Sequence, residues 1–482
     1  MKFRYDPIKE ELTVTEASRI EYHQLNLWLT RHVKGYRFMP AFKRGVWDGK
    51  ISYFRDGKID MGLWRECFKA AKEVGTQFVI ENKDEFPLNR EVTLESVQEF
   101  CAEFFKDHKV KNKKTGEWTP FMPYNYQIET AYKILKNRYC LAEVATSGGK
   151  SLIISIVYFY TIKNINQDSK LLIIVPSITL VTQFYDGLVD FNLGENIEYD
   201  GGNKNPLDIR IEEIMSDKPR KHSGSKDPNV YIGCYQSIEK WPKGWFKQFH
   251  TVACDESHLS KAKTIMTILD RTKGTAYNRF GVSGTFPVDD SAEILTIQSV
   301  LGPIITQINA DLLIKEGRIS PVKIKALLLN HNDYETDEKL KLIKKSGDGA
   351  LAYRLEKEYI QESEARYKFI GKIVNKCTSN TLVLFHNTDY GTRMYENLKK
   401  DFPEKDFYYI DGSISGKNRE IIKKEMDLTK KDVEYTILNF GDYEIDIKSD
   451  FKILLSNGDW KMASNITSDD DIDDNFLKKL RK

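Results

Sequence analysis

The chain has 482 residues, room for about three domains at roughly 100–200 residues each. Lys and Arg number 73 against 71 Asp and Glu, a net charge of +2, which excludes a histone-like basic coat or an acidic tail protein and confines any nucleic-acid surface to a local patch. With 40% apolar and 30% charged residues, the composition supplies hydrocarbon for several cores and excludes the profile of a disordered chain.

Residues 3–14 alternate apolar and polar positions, and charged helical patterns follow at 21–32 and 63–74. A Gly- and aromatic-rich stretch, 35–62, lies between those patterns. Residues 92–105 read as an amphipathic helix and the basic run 106–116 as a linker, so 1–115 is expected to be a small α+β domain. From Trp118 the texture changes. Apolar runs at 139–144, 171–175, 230–235, 251–254 and 279–282 alternate with helical patterns, which predicts a parallel sheet covered by helices over 116–320. The polar run 216–226 reads as an exposed loop.

A second, short α/β pattern occupies 321–426, with a helix over 350–375, a strand over 381–385, a helix over 390–400 and a strand over 406–410. Residues 427–482 differ again. Positions 433–455 alternate like a β-meander, Asn457-Gly458 offers a hairpin turn, and 469–474 is an acidic run. Six scattered cysteines without CxxC spacing suggest neither a zinc site nor a disulfide framework, and several sit in apolar runs as small buried hydrophobes. No apolar stretch is long enough to span a membrane and the start lacks a signal-type apolar region, so a cytoplasmic location is expected.

The strongest chemical signal is Ala145-Thr-Ser-Gly-Gly-Lys-Ser151, between a β-like run and an apolar helix. Small residues let backbone N–H groups curl around an anion, and the helix offers its positive end to the same anion. Lys150 would neutralise β- and γ-phosphates and the Ser151 hydroxyl would bind Mg²⁺. The full G-x-x-x-x-G-K-[ST] template asks for Gly where this chain has Val144, so an ordinary Gly-rich turn with a surface lysine is the alternative. Downstream, Asp255-Glu-Ser-His258 closes an apolar run with two carboxylates. Ligands bind beyond the carboxyl ends of parallel strands, so Asp255 could hold the metal and Glu256 orient or deprotonate water. A merely polar strand exit is the alternative.

Together these blocks resemble the superfamily 2 DExH helicases, over roughly 118–425. Motif I resembles 145–151 and motif II resembles 255–258. Tyr124-Asn-Tyr-Gln127 is similar to the adenine-reading Q motif, which implies base recognition by Gln127 and stacking by Tyr124. The segment 175–183, with Pro176, is similar to motif Ia, and 233–237, with Gln236, to motif Ib/Ic. Gly281-Val-Ser-Gly-Thr285 resembles motif III, implying that Ser283 and Thr285 couple hydrolysis to movement. Segments 383–387, with His386, and 411–419 resemble the opening of a second RecA-like domain. His258 is implied to link the ATP site to motif III or to that second domain. The phosphate loop would cradle ATP through Thr146, Ser147, Gly148, Gly149, Lys150 and Ser151.

A further likeness, carried by Gly35-Tyr-Arg-Phe-Met-Pro-Ala-Phe-Lys-Arg-Gly-Val-Trp-Asp-Gly49, is to the N-terminal domain of UvsW-type recombination helicases of T-even phages. Residues 31–65 hold nine Lys/Arg and three acidic residues among interleaved aromatics, and such a patch can grip a nucleic-acid backbone and stack on unpaired bases. The alternative is a small core with a solvated basic face. Trp47 and Phe54 are assigned to the core, and Arg37, Lys43 and Arg44 are the candidates for nucleic acid here, alongside Pro176, Gln236 and His386 of the helicase-like blocks.

The implied fold is α/β, a RecA-like parallel-sheet helicase core with a small α+β N-terminal domain. The second RecA-like domain is expected to be incomplete, because motif V and the Gln-x-x-Gly-Arg-x-x-Arg block of motif VI, source of the transition-state arginine, are not found. Gly317-Arg318 is the only Gly-Arg pair and stands in the wrong context. The implied function is an ATP- and Mg²⁺-dependent helicase acting on branched DNA or RNA–DNA hybrids. A second polypeptide completing the core, a nucleic-acid-binding protein with an inactive ATPase, and a restriction-system motor are the alternatives.

Overall fold

The computed structural model describes residues 1–87, 91–111, 117–193, 197–199, 207, 209–215, 220–221, 227–261, 263–287, 291–319, 334–345, 349–377, 381–385, 387–414, 418, 421–422, 436–439, 452–454 and 460–462. They fall into two compact units, Met1–Pro321 and Val322–Lys482.

The first unit is organised by an eight-stranded sheet. Across it the order is Arg220–Lys221, Ile211–Ile214, Val230–Cys234, Leu171–Val175, Thr251–Cys254, Asn278–Ser283, Tyr139–Val144 and Ile304–Ile308. Every pairing is parallel except the edge pair of 211–214 with 220–221. A parallel sheet covered on both faces needs strands apolar on both sides. All residues of the 171–175, 230–234, 251–254 and 278–283 strands are buried, mostly by Leu, Ile, Val, Ala and Cys. The helix Lys150–Asn164 is buried without a break from Leu152 to Ile162, as expected of a helix enclosed between layers. One face of the sheet carries Ile153, Val157, Phe159 and Ile173 in its core, and the other carries Leu141, Ile174, Phe246 and Ile297.

Two expectations around the sheet need correction. Tyr235 opens the short helix Tyr235–Ile238 instead of prolonging the strand. The basic run 106–116 is not simply a linker, because His108–Lys111 pairs with Trp118–Pro120 and Ile197–Tyr199 in a three-stranded sheet. The preceding helix, Leu94–Phe104, packs with the large sheet's layer. Val97, Phe100 and Cys101 share a core with Ile128, Leu135 and Tyr158, and Ser96 Oγ lies 2.9 Å from Tyr160 Oη. Residues 91–111 therefore belong physically to the sheet layer, because their apolar face finds its partners there.

The N-terminal domain proper is a four-stranded sheet ordered Lys58–Asp60, Glu11–Glu16, Lys2–Asp6 and Val79–Ile80, carrying helices Arg19–Trp28 and Trp64–Glu73. Its core of Phe3, Leu12, Leu25, Ile59, Leu63 and Cys67 extends onto Tyr139 and Leu295 of the large layer. The two layers are also bonded. Glu10, 1% exposed, pairs with Arg279, 3% exposed, at the start of the 278–283 strand. Glu10 Oε1 accepts from Tyr139 Oη at 3.1 Å and from the Gly274 amide at 2.9 Å. Tyr53 Oη donates to Ala292 O at 2.6 Å. Gly62 comes so close to helix Ala292–Leu301 that a Cβ would stand 2.0 Å from Gln298 O, so only glycine permits this approach.

In the second unit, helices Glu364–Lys376 and Thr388–Asp401 pack through Ile370, Val374, Tyr390, Met394 and Leu398. Strand Thr381–Leu384 pairs in parallel with Thr436–Asn439. The pairing carries this layer beyond residue 426, and a parallel partner there departs from the expected meander. The expected strand over 406–410 is irregular chain. Lys452–Leu454 and Trp460–Met462 pair antiparallel on either side of Asn457-Gly458, whose own residues lie outside those described, as do most of 216–226 and the whole acidic run. Five of the six cysteines, Cys67, Cys101, Cys140, Cys234 and Cys254, are buried free thiols.

Candidate functional site

Parallel order brings the segments singled out in the sequence to one edge of the large sheet, beyond the carboxyl ends of adjacent strands. The loop 145–149 follows strand 139–144, Thr285 follows 278–283, and Asp255 follows 251–254. The strand of Ser283 thus stands between those of the phosphate loop and the carboxylates. Pro176 and Gln236 leave the two strands beyond, whose last residues, Val175 and Cys234, are register partners. Pro176 is half-buried and Gln236 is exposed.

The loop has the curl its composition predicts. Ser147 and Gly149 adopt left-handed backbone at φ 65° and 79°. A Cβ on Gly148 would meet Val144 Cγ1 at 2.8 Å, and one on Gly149 would meet Gln127 Nε2 at 2.2 Å. Gly149 caps the helix Lys150–Asn164 without any side-chain hydrogen bond, which leaves its first amides available to an anion. Thr146 and Ser147 are exposed, and Ser151 is half-buried in the first turn.

Lys150 Nζ lies 2.7 Å from Glu256 Oε1, which joins the loop to the acidic motif. Glu256 holds a left-handed φ of 47°, uncommon for a side-chain-bearing residue. A hydrogen bond from His258, followed by the pull of Lys150, holds its carboxyl down at about 2 despite partial burial. Asp255 behaves oppositely. It is 5% exposed, burial pushes its carboxyl up to about 6, and Lys150 opposes that rise. Its Oδ1 is buried with no hydrogen-bond partner. An orphaned carboxylate oxygen beside a loop whose curl could receive an anion would suit a cation shared with that anion. Mg²⁺ typically takes one or two protein ligands plus phosphate oxygens and water. Accordingly, the described residues contain no cluster of three or more His, Cys, Asp or Glu arranged to hold a metal by themselves.

His258 extends the chain of contacts to the neighbouring strand. Its Nδ1 lies 2.8 Å from Ser283 Oγ and 3.4 Å from Glu256 Oε2. Ser283 donates its hydroxyl to Thr285 O at 2.8 Å, so it accepts from His258, whose Nδ1 carries the proton. Carboxylate, imidazole and hydroxyl thus connect the loop's lysine to Thr285.

Gln127 is 4% exposed, accepts from the Tyr124 amide at 2.9 Å and donates to Gly148 O at 3.2 Å. It ties the Q-like segment to the phosphate loop, as does Tyr126, whose Oη donates to Gly148 O at 2.9 Å. Sequence reasoning missed Tyr126 and gave Arg318 no place in the site. The Arg318 guanidinium lies 3.9 Å from the Tyr124 ring centroid, so it flanks the Q-like tyrosine, and its Gly-Arg neighbourhood was the only signal for it. Glu10 and Arg279 were also missed, since nothing in their spacing marks a pair 269 positions apart.

Arg37, Lys43 and Arg44 do not join this edge. They are exposed on the connection between strands Thr30–His32 and Lys50–Ser52. Phe54 is buried in the N-terminal core, whereas Trp47 is half-buried outside it and donates to Lys50 O at 2.7 Å. His386 lies outside the described residues.

Comparison with known proteins matches residues 124–294 to the DEAD/DEAH box helicase family and residues 11–81 to the N-terminal domain of DNA helicase UvsW. The ATP-dependent DNA helicase uvsW of Enterobacteria phage T4 is 27% identical over 406 residues, 83% of this chain and 74% of that protein. A crystal structure of T4 UvsW superposes with a TM-score of 0.50 at 22% identity, covering 92% of this chain and 81% of that one. Another structure of the bacteriophage T4 helicase gives 0.49 at 26% identity, covering 63% of this chain and 99% of that one.

Proposed function

Because this chain belongs to the superfamily 2 DExH helicases and is related to the UvsW type, we propose that it is an ATP-driven motor acting on branched DNA or RNA–DNA hybrids. One observation carries the reading. Lys150 of the phosphate loop and the Asp255–Glu256 pair converge at one sheet edge, with Asp255 Oδ1 buried and unpartnered. In this reading Lys150 and the amides of 146–150 other than that of Gly148, which already donates to Ala145 O at 2.9 Å, would bind phosphates, and Ser151 and Asp255 would hold Mg²⁺. The ion supplies charge neutralisation on the transferring phosphoryl group.

Glu256, kept ionised by His258 and Lys150, orients the attacking water once phosphate draws the lysine away. Tyr124 stacks on the base, and Gln127 joins base position to loop geometry. Ser283 and Thr285, reached through His258, report the nucleotide's state to Pro176 and Gln236 on the track side of the sheet. Arg37, Lys43 and Arg44 grip the DNA backbone.

The sequence contains no Gln-x-x-Gly-Arg-x-x-Arg block, which favours a second reading in which another polypeptide completes the motor, or the chain binds without turnover. ATP hydrolysis with and without forked DNA, repeated on Lys150→Ala, tests the motor. DNA-stimulated hydrolysis lost in the variant supports it. Hydrolysis that the variant retains refutes it. Hydrolysis restored only by a second chain assigns the missing part.

A further inference from the structure

The connection between strands Thr30–His32 and Lys50–Ser52 folds into a cap with two populations of side chains. Tyr36 belongs to the scaffold. It stacks on His32 with centroids 4.5 Å apart, meets Phe42 edge-on at 4.8 Å, and fills the space beside Gly49, where a Cβ would stand 2.1 Å from its ring. Gly49 can sit there because it has no Cβ and holds φ 79°. The backbone is pinned turn by turn, from Phe38 N to Gly35 O at 3.0 Å through Lys43 N to Met39 O at 3.0 Å and Val46 N to Ala41 O at 3.1 Å.

Phe38 belongs to the other population. It is 80% exposed, in a turn whose every other aromatic is at least partly enclosed, and Val46 beside it in the cap is 72% exposed. Around them Arg37, Lys43 and Arg44 are exposed as well. An exposed aromatic ring on a hydrogen-bonded turn that also carries exposed cations complements a nucleic-acid site where a base face is uncovered. Within a duplex every base face is covered, so the complementary ligand is the first unpaired base at a junction of single and double strands.

We propose that this cap is a base-stacking pin: Phe38 stacks on the first unpaired base of a DNA junction whose backbone is held by Arg37, Lys43 and Arg44. The proposal rests on the nucleic-acid reading above and goes beyond it, since it assigns strand-junction recognition to one side chain away from the nucleotide site. The pin is fixed to the motor layer. The Glu10–Arg279 pair and the Tyr53–Ala292 hydrogen bond join its domain to the sheet that carries the loop 145–151. A base held on Phe38 would therefore stay at a constant position relative to the first RecA-like sheet.

The test uses the full chain without nucleotide and a forked DNA with 2-aminopurine as the first unpaired base. Wild type should quench the probe on binding. Phe38→Trp should keep the quench. Phe38→Ala should abolish it and weaken fork binding by roughly five- to a hundredfold, as for other aromatic–base stacks, while leaving binding to blunt duplex unchanged. Phe38 is exposed, so the variants have no core to disturb. Equal fork affinity and equal quench for wild type and Phe38→Ala would overturn the pin alone. Equal weakening on fork and duplex would also overturn it, by making Phe38 a backbone contact. Wild type that binds no DNA would overturn both the pin and the reading beneath it.

Discussion

Replacing Asp255 with Asn should cost the chain no stability at pH 8 while disabling the site. The carboxyl is 5% exposed, and burial raises it from 3.8 to about 6. At about 1.36 kcal/mol per pH unit, holding it ionised above pH 6 costs about 3 kcal/mol of folding stability. Because the folded-state value exceeds the unfolded one, this penalty is absent below pH 3.8, grows as pH rises and is complete above pH 6. The amide has the same shape and no charge, though its own burial without a partner costs about 1–3 kcal/mol, so the net gain at pH 8 is about 0–2 kcal/mol. Thermal melts of both proteins at pH 8 and pH 5, in metal-free buffer, read this directly. The variant should melt no lower than wild type at pH 8 and lose ground to it at pH 5, while Mg²⁺-dependent nucleotide affinity falls. The charges of Lys150 and His258 pull against the rise and that of Glu256 adds to it, and all three residues are present in both proteins. A variant that melts lower at pH 8, or a gap constant with pH, would refute the burial argument.

Two further outcomes follow from contacts described above. Glu10→Ala leaves Arg279 buried without its partner, so stability should fall by about 3–5 kcal/mol, read by chemical denaturation, whereas Glu10→Gln should recover part of it; an unchanged midpoint for Glu10→Ala would mean that the pair does not hold the two layers together. Gly149→Ala forces a Cβ onto left-handed backbone and to within 2.2 Å of Gln127 Nε2, so ATP affinity should drop at least tenfold, about 1.4 kcal/mol, in an equilibrium titration, and wild-type affinity would contradict the loop geometry.

The sequence was most informative where burial on both sides writes an unbroken apolar run. The strands 139–144, 171–175 and 251–254 stand where their hydrophobicity puts them, and the loop and carboxylates follow from the parallel order. It was least informative where a strand borrows its partner from far away. Residues 108–111 look like a linker because their charge is high, and they become a strand only by pairing with 118–120 and 197–199. Residues 436–439 look like part of a separate tail, and pair with 381–384. In the site, residue types announced Lys150, Asp255 and Glu256, but not the cross-links that set their chemistry. Ser283 as acceptor for His258, Gln127 as tie to Gly148, and Arg318 on Tyr124 are all products of tertiary placement. The N-terminal basic stretch was legible as a patch, yet only fractional exposure separates Phe38 from the scaffold aromatics around it.

The central claim is that the loop ending at Lys150 and the carboxylates at 255–256 form one magnesium–nucleotide site. Equilibrium titration of a fluorescent ATP analogue into the full chain, with and without Mg²⁺, tests it directly, with Lys150→Ala alongside. Saturable binding that strengthens with Mg²⁺ and is lost in the variant is predicted; a wild-type chain that binds no nucleotide, or a variant that binds as well as wild type, would contradict the claim.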